Sequence, residues 1–372
     1  MGKIDFCAPC LFGLEGVLAK ELKELEIENV RAENGRVLFS GDYNTLARAN
    51  LSLRTAERVC IVLGSFTATT FDRLFEGTKA LPFENFIGKS NAFPVTGWSL
   101  ESKLFSLRDC QKIIKKAAVT RLSEKYHISW FEETGATVQI RFSVFKDRVT
   151  VMLDTSGAAL HKRGYRANSA GAPIKETLAA AMVLLSRPYS DSVLYDPFCG
   201  SGTVLIEGAL MAANIAPGLK RRFAAESWGS VKTSVFKDER EKAREKINRD
   251  IEFKAVGSDI DPAAVELTLE NARKAGVEDF VFASVQDISD FSPQTKKGII
   301  VTNPPYGERL LDIDRAQEIY RIMGTRFEKK YGYRYSVISP DEDFERLFGR
   351  SADKRRKLYN GMLKCQLYMY FR

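Results

Sequence analysis

Apolar positions recur along this chain at two periods, and the switches between them lay out its elements. Leu14, Val17, Leu18, Leu22 and Leu25 repeat at helical spacing after Phe12-Gly13. Residues 30–39 are strand-like on both sides of Asn34-Gly35, a dipeptide suited to a two-residue hairpin turn. A helix over residues 43–53 completes a small α/β unit. Residues 58–66 alternate and carry β-branched side chains, predicting a strand, and a helix over 71–80 and a strand over 93–98 follow. Residues 107–125 form one apolar face, with Ile113, Ile114, Ala117, Ala118 and Leu122, edged by Lys112, Lys115, Lys116 and Arg121. Residues 137–145 and 148–153 alternate apolar with polar positions around Lys146-Asp147, which predicts a hairpin with one buried face.

Glycines, small residues and a proline between Gly164 and Pro173 mark a boundary. Beyond it the periods change. An Ala-rich helix over 174–185 leads to a short strand, Val193-Leu194-Tyr195, then to a glycine-containing loop and a helix over 204–213. An insertion, residues 217–250, ends in a charged helix whose pairs Asp238/Lys242 and Glu245/Arg249 stand four apart, the spacing of a solvated strut. Strands ending at Asp259, Asp287 and Thr302 follow, with a helix from Pro262 to Gly276 after the first of them. A helix over 314–330, a strand over 333–339 and a hairpin around Asn360-Gly361 complete the chain. The pattern predicts an open α/β sheet, largely parallel and ending in an antiparallel pair. The expected divisions are 1–60, 61–160, a linker over 161–173, and 174–372.

Composition changes the picture little. The 372 residues are 44% hydrophobic and 28% charged, the balance of a globular protein with several domains. No apolar run approaches the ~20 residues of a membrane span, and the start of the chain lacks a signal peptide's apolar stretch, so a cytoplasmic protein is expected. Cys7 and Cys10 form the one CxxC, and the two histidines, His127 and His161, supply no matching pair, so no metal is expected.

Charge changes it more. A net charge of +8 and a pI of about 9.0 favour a polyanion partner. Lys162-Arg163, Lys220-Arg221-Arg222 and residues 354–357 are compact basic groups with Tyr165, Phe223 and Tyr359 among them, a composition suited to RNA.

Candidate chemistry lies beyond the boundary. In Asp196-Pro197-Phe198-Cys199-Gly200-Ser201-Gly202-Thr203 a strand feeds a helix through two glycines, which permits close approach of backbone to a ligand at a helix N-terminus. The spacing departs from GxGxxG, and Asp259 lies far past the ~20 residues expected for a dinucleotide site. Asp259 ends a strand and can accept two hydrogen bonds from a ribose diol. Asp261, directly before Pro262, is better suited to cap a helix. In Asn303-Pro304-Pro305-Tyr306-Gly307 the prolines hold the backbone extended and donate nothing, so Asn303 Oδ1 and the Pro304 carbonyl offer two acceptors to one amino group, with Tyr306 available to stack on a ring. A plain Pro-Pro turn with Tyr306 in the core is the alternative.

These segments resemble a known family. Residues 93–166, through Leu160-His161-Lys162-Arg163-Gly164-Tyr165-Arg166, resemble a THUMP domain and its exit, an RNA-binding module that follows a ferredoxin-like unit. Asp196–Thr203 resembles the first motif of class I S-adenosylmethionine methyltransferases, and Asn303–Tyr306 the motif of amino-methylating enzymes. Together with Ile215-Ala216-Pro217-Gly218-Leu219 and Asn303 through Leu310, the chain is similar to the RlmL-like family of THUMP-containing guanine-N2 methyltransferases of 23S ribosomal RNA.

The resemblance implies a seven-stranded Rossmann-like sheet and S-adenosylmethionine as cofactor, with S-adenosylhomocysteine as product. It assigns cofactor binding to Asp196, Phe198, Cys199, Gly200, Gly202, Thr203, Asp259, Ile260, Asp287, Ile288 and Asn303. It assigns catalysis to Asn303, Pro304, Pro305 and Tyr306, while the clustering of basic residues assigns RNA contact to Lys112, Lys115, Lys116, Lys162, Arg163, Arg166, Lys220, Arg221 and Arg222. Cys199 is read as a packing residue. Guanine-N2 methylation of transfer RNA, adenine-N6 methylation of RNA or DNA, glutamine methylation of protein, and a non-catalytic RNA-binding assembly factor remain as alternatives.

Overall fold

Two seven-stranded sheets account for the predicted strands. The computed structural model describes residues 3–166, 174–187, 193–293, 295–307, 310–328 and 332–371. Residues 167–173 of the expected linker, and Glu308 and Arg309 of the family motif, lie outside the described residues.

The chain divides into two compact units, one of Met1–Cys10, Ala19–Leu160 and Arg221–Lys242, the other of Leu11–Leu18, His161–Lys220 and Ala243–Arg372. The first holds β1 (Ile4–Pro9), β2 (Glu28–Glu33), β3 (Arg36–Gly41), β4 (Cys60–Thr67), β5 (Val95–Leu100), β6 (Gln139–Phe145) and β7 (Arg148–Asp154). Helix α1 (Glu15–Glu24) precedes β2, α2 (Tyr43–Ser52) follows β3, α3 (Phe71–Lys79) follows β4, and α4 (Leu107–Tyr126) joins β5 to β6. The spatial order is β2-β3-β1-β4-β7-β6-β5, one continuous sheet. Phe6 pairs with Ile61 and Cys7 with Cys60, so the strand that opens the second expected division is laid directly on the first.

A buried polar cluster ties α2 to the end of β7. Asn50 Nδ2 donates to Thr155 Oγ1 (2.9 Å) and to the Leu46 carbonyl (3.0 Å), while Ser156 Oγ donates to Asn50 Oδ1 (2.6 Å). Val59 N in turn donates to Ser156 Oγ at 2.9 Å. The cluster is buried and internally satisfied.

The insertion differs from the solvated strut that its charges suggest. Residues 221–242 belong to the first unit, and α7 spans Thr233–Glu245, ending before Arg249. Trp228 is buried and donates its indole N–H to the Thr137 carbonyl at 3.0 Å. Phe236 stacks on Phe223. Glu239, also buried, takes Arg48 at 3.1 Å and Lys242 at 2.8 Å, so Lys242 pairs one position away from the expected Asp238.

The second unit holds α5 (Glu176–Ser186), β8 (Val193–Asp196), α6 (Thr203–Ala212), β9 (Ala255–Asp259), α8 (Pro262–Ala275), β10 (Val281–Val285) and β11 (Gly298–Thr302). It continues with α9 (Leu310–Arg326), β12 (Tyr333–Ser339), α10 (Phe344–Phe348), β13 (Lys354–Asn360) and β14 (Leu363–Tyr370). The order is β10-β9-β8-β11-β12-β14-β13, with the first five strands parallel and β14 antiparallel between β12 and β13. The antiparallel insertion rests on an aromatic core in which Tyr320, Phe327, Phe344, Phe348, Tyr368 and Tyr370 pack together.

Replacing Asn50 by Leu removes the donor to Thr155 Oγ1 and the acceptor of the Ser156 hydroxyl, leaving each with only its Val59 partner in the interior. The variant is expected to lose about 2–3 kcal/mol of stability in urea denaturation, and an unchanged midpoint would show that the cluster does not hold α2 to β7.

Candidate active site

The sheet order reverses between β8 and β11, so the loops leaving those strands diverge and open a crevice at their C-terminal ends. Two chemically distinct segments meet there. β8 and β11 pair in parallel from Val193/Gly298 to Tyr195/Ile300, which brings Asp196 and Thr302 side by side. Thr302 Oγ1 donates to Asp196 Oδ1 at 2.7 Å, and the Phe198 amide donates to the same oxygen at 3.2 Å. Asp196 is buried. Burial pushes its carboxyl up to about 7, with the charge of Asp259 adding to the rise and the donors from Thr302 and Phe198 opposing it.

The glycine loop is stapled from two sides. Cys199 N donates to the Ser258 carbonyl (2.9 Å), and Gly200 N to Asp259 Oδ2 (2.9 Å). The other Asp259 oxygen accepts from Asp261 N at 3.1 Å. From α8, Thr268 Oγ1 donates to the Gly200 carbonyl (2.8 Å) and Asn271 Nδ2 to the Ser201 carbonyl (3.0 Å). Sequence reasoning missed Thr268 and Asn271. Their spacing of three on a helix with an apolar face was the available signal, and both are fully buried.

Gly202 has φ +78° and begins α6, and a Cβ there would stand 2.8 Å from Thr268, so glycine is required on two counts. Thr268 also donates toward Cys199 Sγ at 3.6 Å. Burial pushes the Cys199 thiol up to about 12, which suits packing and not a nucleophile.

Other candidates divide between surface and core. Ile260 is 69% exposed at the end of β9, whereas Ile288 is buried in the aromatic core beside Tyr195 and Phe291. Asp261 caps α8 by accepting from Ala263 N at 2.9 Å. Asp287 caps a short turn by accepting from Ser289 N at 2.7 Å, and its carboxyl is held below the usual range by the Ser289 contacts. Phe198 is half-buried above Asp196. Thr203 is buried, with its hydroxyl between Ser201 Oγ (3.1 Å) and Arg166 Nη1 (3.3 Å).

Asn303 leaves β11 half-buried, Pro304 is buried and Pro305 is exposed. The Tyr306 hydroxyl donates to Asn303 Oδ1, and Asn360 Nδ2 reaches that hydroxyl at 3.4 Å from the β13–β14 turn. Tyr320 Oη donates to the Pro305 carbonyl at 3.3 Å. Gly307, with φ +70°, closes the stretch where a Cβ would stand 2.5 Å from the Asp312 carbonyl. The tail also brings buried Cys365 against Tyr306, and burial raises both the thiol and the phenol. Tyr306 therefore stays protonated and remains a donor. Asn360 and Cys365 were not legible as site neighbours, because only the return of β14 beside β12 carries them there.

The basic candidates also separate. Arg163 is buried with its guanidinium on Glu207 (3.4 Å), and Arg166 is paired with Glu176 (2.8 Å) while its other arm reaches the Ile174 carbonyl. Arg163 is withdrawn from the surface, and Arg166 is partly buried. Lys115 lies over the Phe93 ring and pairs with Glu133, and Arg221 donates to the Ala158 and Ala159 carbonyls. Lys112, Lys116, Lys162, Lys220 and Arg222 are exposed.

Comparison with known proteins agrees with this geometry. Residues 163–369 match the RMKL-like methyltransferase domain, residues 5–60 the RlmL ferredoxin-like domain, and residues 68–154 the THUMP domain. The chain belongs to the RlmL-like methyltransferase family. It is 44% identical over its whole length to YpsC of Bacillus subtilis (strain 168), a protein named as an RNA methyltransferase, and covers 97% of it. It is 34% identical to ribosomal RNA large subunit methyltransferase K/L of Shewanella amazonensis, matching over 98% of this chain but spanning only 53% of that protein. Among solved structures, SMU.472, named as a methyltransferase and solved with SAH, superposes with TM-score 0.93 at 42% identity, covering 100% of this chain and 98% of its own.

The cofactor of this family's methyltransferase fold is S-adenosylmethionine, and the crevice fits it. Gly200 faces open space where a Cβ would meet nothing within 4 Å, and exposed Ile260 offers an apolar surface beside Asp259. Asp259 holds the loop with one lone pair on each oxygen and retains others for a diol.

The raised Asp196 carboxyl makes a pH prediction. In the unfolded chain the group releases its proton near 3.8, while in the fold it keeps it to about 7. Stability therefore falls as pH rises through that window, because the folded state is the one that holds the proton. Melting of wild type relative to Asp196→Asn is expected to drop between pH 4 and 7 and then level. Parallel curves would reject the buried-carboxyl assignment.

Proposed function

We propose that this protein transfers the methyl group of S-adenosylmethionine to the exocyclic N2 of a guanosine in RNA, with 23S ribosomal RNA as the first candidate substrate. The observation that carries the reading is the Thr302–Asp196 hydrogen bond, which joins the cofactor loop to the acceptor stretch at adjacent strand ends. The family, the THUMP match and the kinship with the K/L enzymes support RNA; the choice of guanine follows the resemblance of the 303–310 segment, and the same Asn-Pro-Pro-Tyr motif also serves adenine.

Bound S-adenosylmethionine supplies an electrophilic methyl group. The chain's own task is to orient an amino nitrogen whose lone pair is delocalised into its ring. Asn303 Oδ1 accepts one amino hydrogen and the Pro304 carbonyl the other, which favours a pyramidal nitrogen and stabilises the positive charge that grows on it. The Tyr306 hydroxyl, by donating to Asn303 Oδ1, fixes which end of the amide faces the substrate and leaves that oxygen's second lone pair for the base. The Tyr306 ring is the surface against which the base stacks. On the RNA side, the exposed Lys112, Lys116, Lys162, Lys220 and Arg222 are the candidate phosphate contacts.

Asn303→Ala is expected to lower transfer of labelled methyl by on the order of 100-fold or more, with a much smaller loss of S-adenosylhomocysteine affinity. Nucleoside mass spectrometry of the product should give N2-methylguanosine, and N6-methyladenosine would reject the base assignment. Tyr306→Phe keeps the ring and removes the hydroxyl, so a fall in kcat with unchanged KM for RNA is expected. Unchanged kcat and KM would assign Tyr306 to stacking only.

A further inference from the structure

A cavity of 390 Å³ opens in the methyltransferase unit, away from the crevice. Its walls come from the segment entering the unit, from the end of α6 and the residues after it, from the end of α7 and the chain following it, and from the C-terminus of α8. In a parallel α/β sheet the crossover helices run opposite to the strands, so helix C-termini lie at the end remote from the strand C-termini that form the active site. The volume falls within the ~300–1,000 Å³ of sites for small organic groups.

Its chemistry is two-sided. Buried Tyr165, Leu210, Ile215 and Pro217 make an apolar floor. Lys220, Arg244, Arg249 and Lys274, all exposed, stand around the mouth, and among the described residues no carboxylate lines the cavity. The fifth cation of the lining, Arg163, is spent on Glu207 inside the wall.

The rim cations are gathered by the negative end of α8. Lys220 Nζ donates to the Lys274 carbonyl at 2.8 Å and Arg249 Nη2 to the Gly276 carbonyl at 3.1 Å. Helix capping uses one hydrogen of each group, and each carries further donors. Capping explains neither Arg244, which comes from another helix, nor an apolar floor beneath the charges.

We infer that this cavity binds a second nucleotide of the RNA strand, its base on the Tyr165–Pro217 floor and its phosphate on Lys220, Arg244 and Arg249. The inference rests on the RNA-methylating reading and adds to it an anchor remote from the methylated base. The occupant is assigned by charge complementarity together with the apolar floor: a phosphate for the rim and a flat, weakly polar ring for the interior.

Full-length wild type, the triple variant Lys220→Ala/Arg244→Ala/Arg249→Ala, and Ala216→Phe, which fills the cavity, are compared in binding to transcribed 23S ribosomal RNA over a salt series. S-adenosylhomocysteine affinity serves as the control for folding. The triple variant is expected to bind about tenfold more weakly or worse, with a log–log salt slope shallower by about 2. Ala216→Phe is expected to weaken binding with the slope retained, since its phosphate contacts remain. RNA binding by both variants equal to wild type, with S-adenosylhomocysteine bound normally, overturns the anchor while leaving the methylation reading intact. Failure of wild type itself to bind or methylate RNA overturns that reading and the anchor with it. If guanosine 5′-monophosphate binds wild type but not the triple variant, and RNA affinity is unchanged, the cavity is a free-nucleotide site and the RNA assignment falls.

Discussion

The hydrogen bond from Thr302 to Asp196 is the constraint on which the site depends. It spans the β8–β11 boundary, where neighbouring strands send their loops apart, and it joins the glycine loop to the Asn303–Tyr306 stretch, which we propose accepts from an amino group. Asp196 can lie buried there because Thr302 and the Phe198 amide satisfy one of its oxygens, and the cost of the buried charge appears as a raised carboxyl pKa. A carboxyl in that position orders backbone at both strand ends at once. That is a positioning role, and the amino-group transfer proposed above depends on positioning.

Around this bond the second unit arranges supports in layers. α8 fastens the glycine loop through Thr268 and Asn271, Asp259 fastens it from β9, and the antiparallel β14 carries the aromatic core against which α9 and α10 pack. The same return of β14 brings Asn360 and Cys365 to Tyr306. The acceptor motif is therefore held by residues more than fifty positions away. Its most reactive-looking neighbour, Cys365, is a buried thiol with its pKa raised by burial, which is unsuited to nucleophilic attack.

The first unit follows a different logic. Its strands form one continuous sheet although they match two family modules, because β4 pairs with β1 on one side and β7 on the other. The Asn50–Thr155–Ser156 cluster strengthens the same seam from the helix side. The charged insertion shows how charge spacing misleads: Asp238/Lys242 looked like a solvated helical pair, but Glu239 is the buried member and its partner Arg48 comes from α2. Periodicity can identify a helix, yet which of its carboxylates is buried depends on what packs against it.

Local rules sufficed for much of this protein. Alternation and helical spacing gave most strands and helices to within a few residues, though not β1 or α10, Asn34-Gly35 and Asn360-Gly361 marked hairpins, and Asp261 before Pro262 marked a cap, because each depends on dihedral preferences within a few residues. The motifs 196–203 and 303–306 were legible for the same reason. Tertiary structure alone decided that Arg163 and Arg166 are internal ion-pair partners, that Ile288 belongs to the core while Ile260 stands open, and that Thr268, Asn271 and Asn360 support the site. Those outcomes depend on which long-range neighbour reaches a side chain first, and a basic or apolar residue carries no local mark of whether that neighbour is a carboxylate, a core or water.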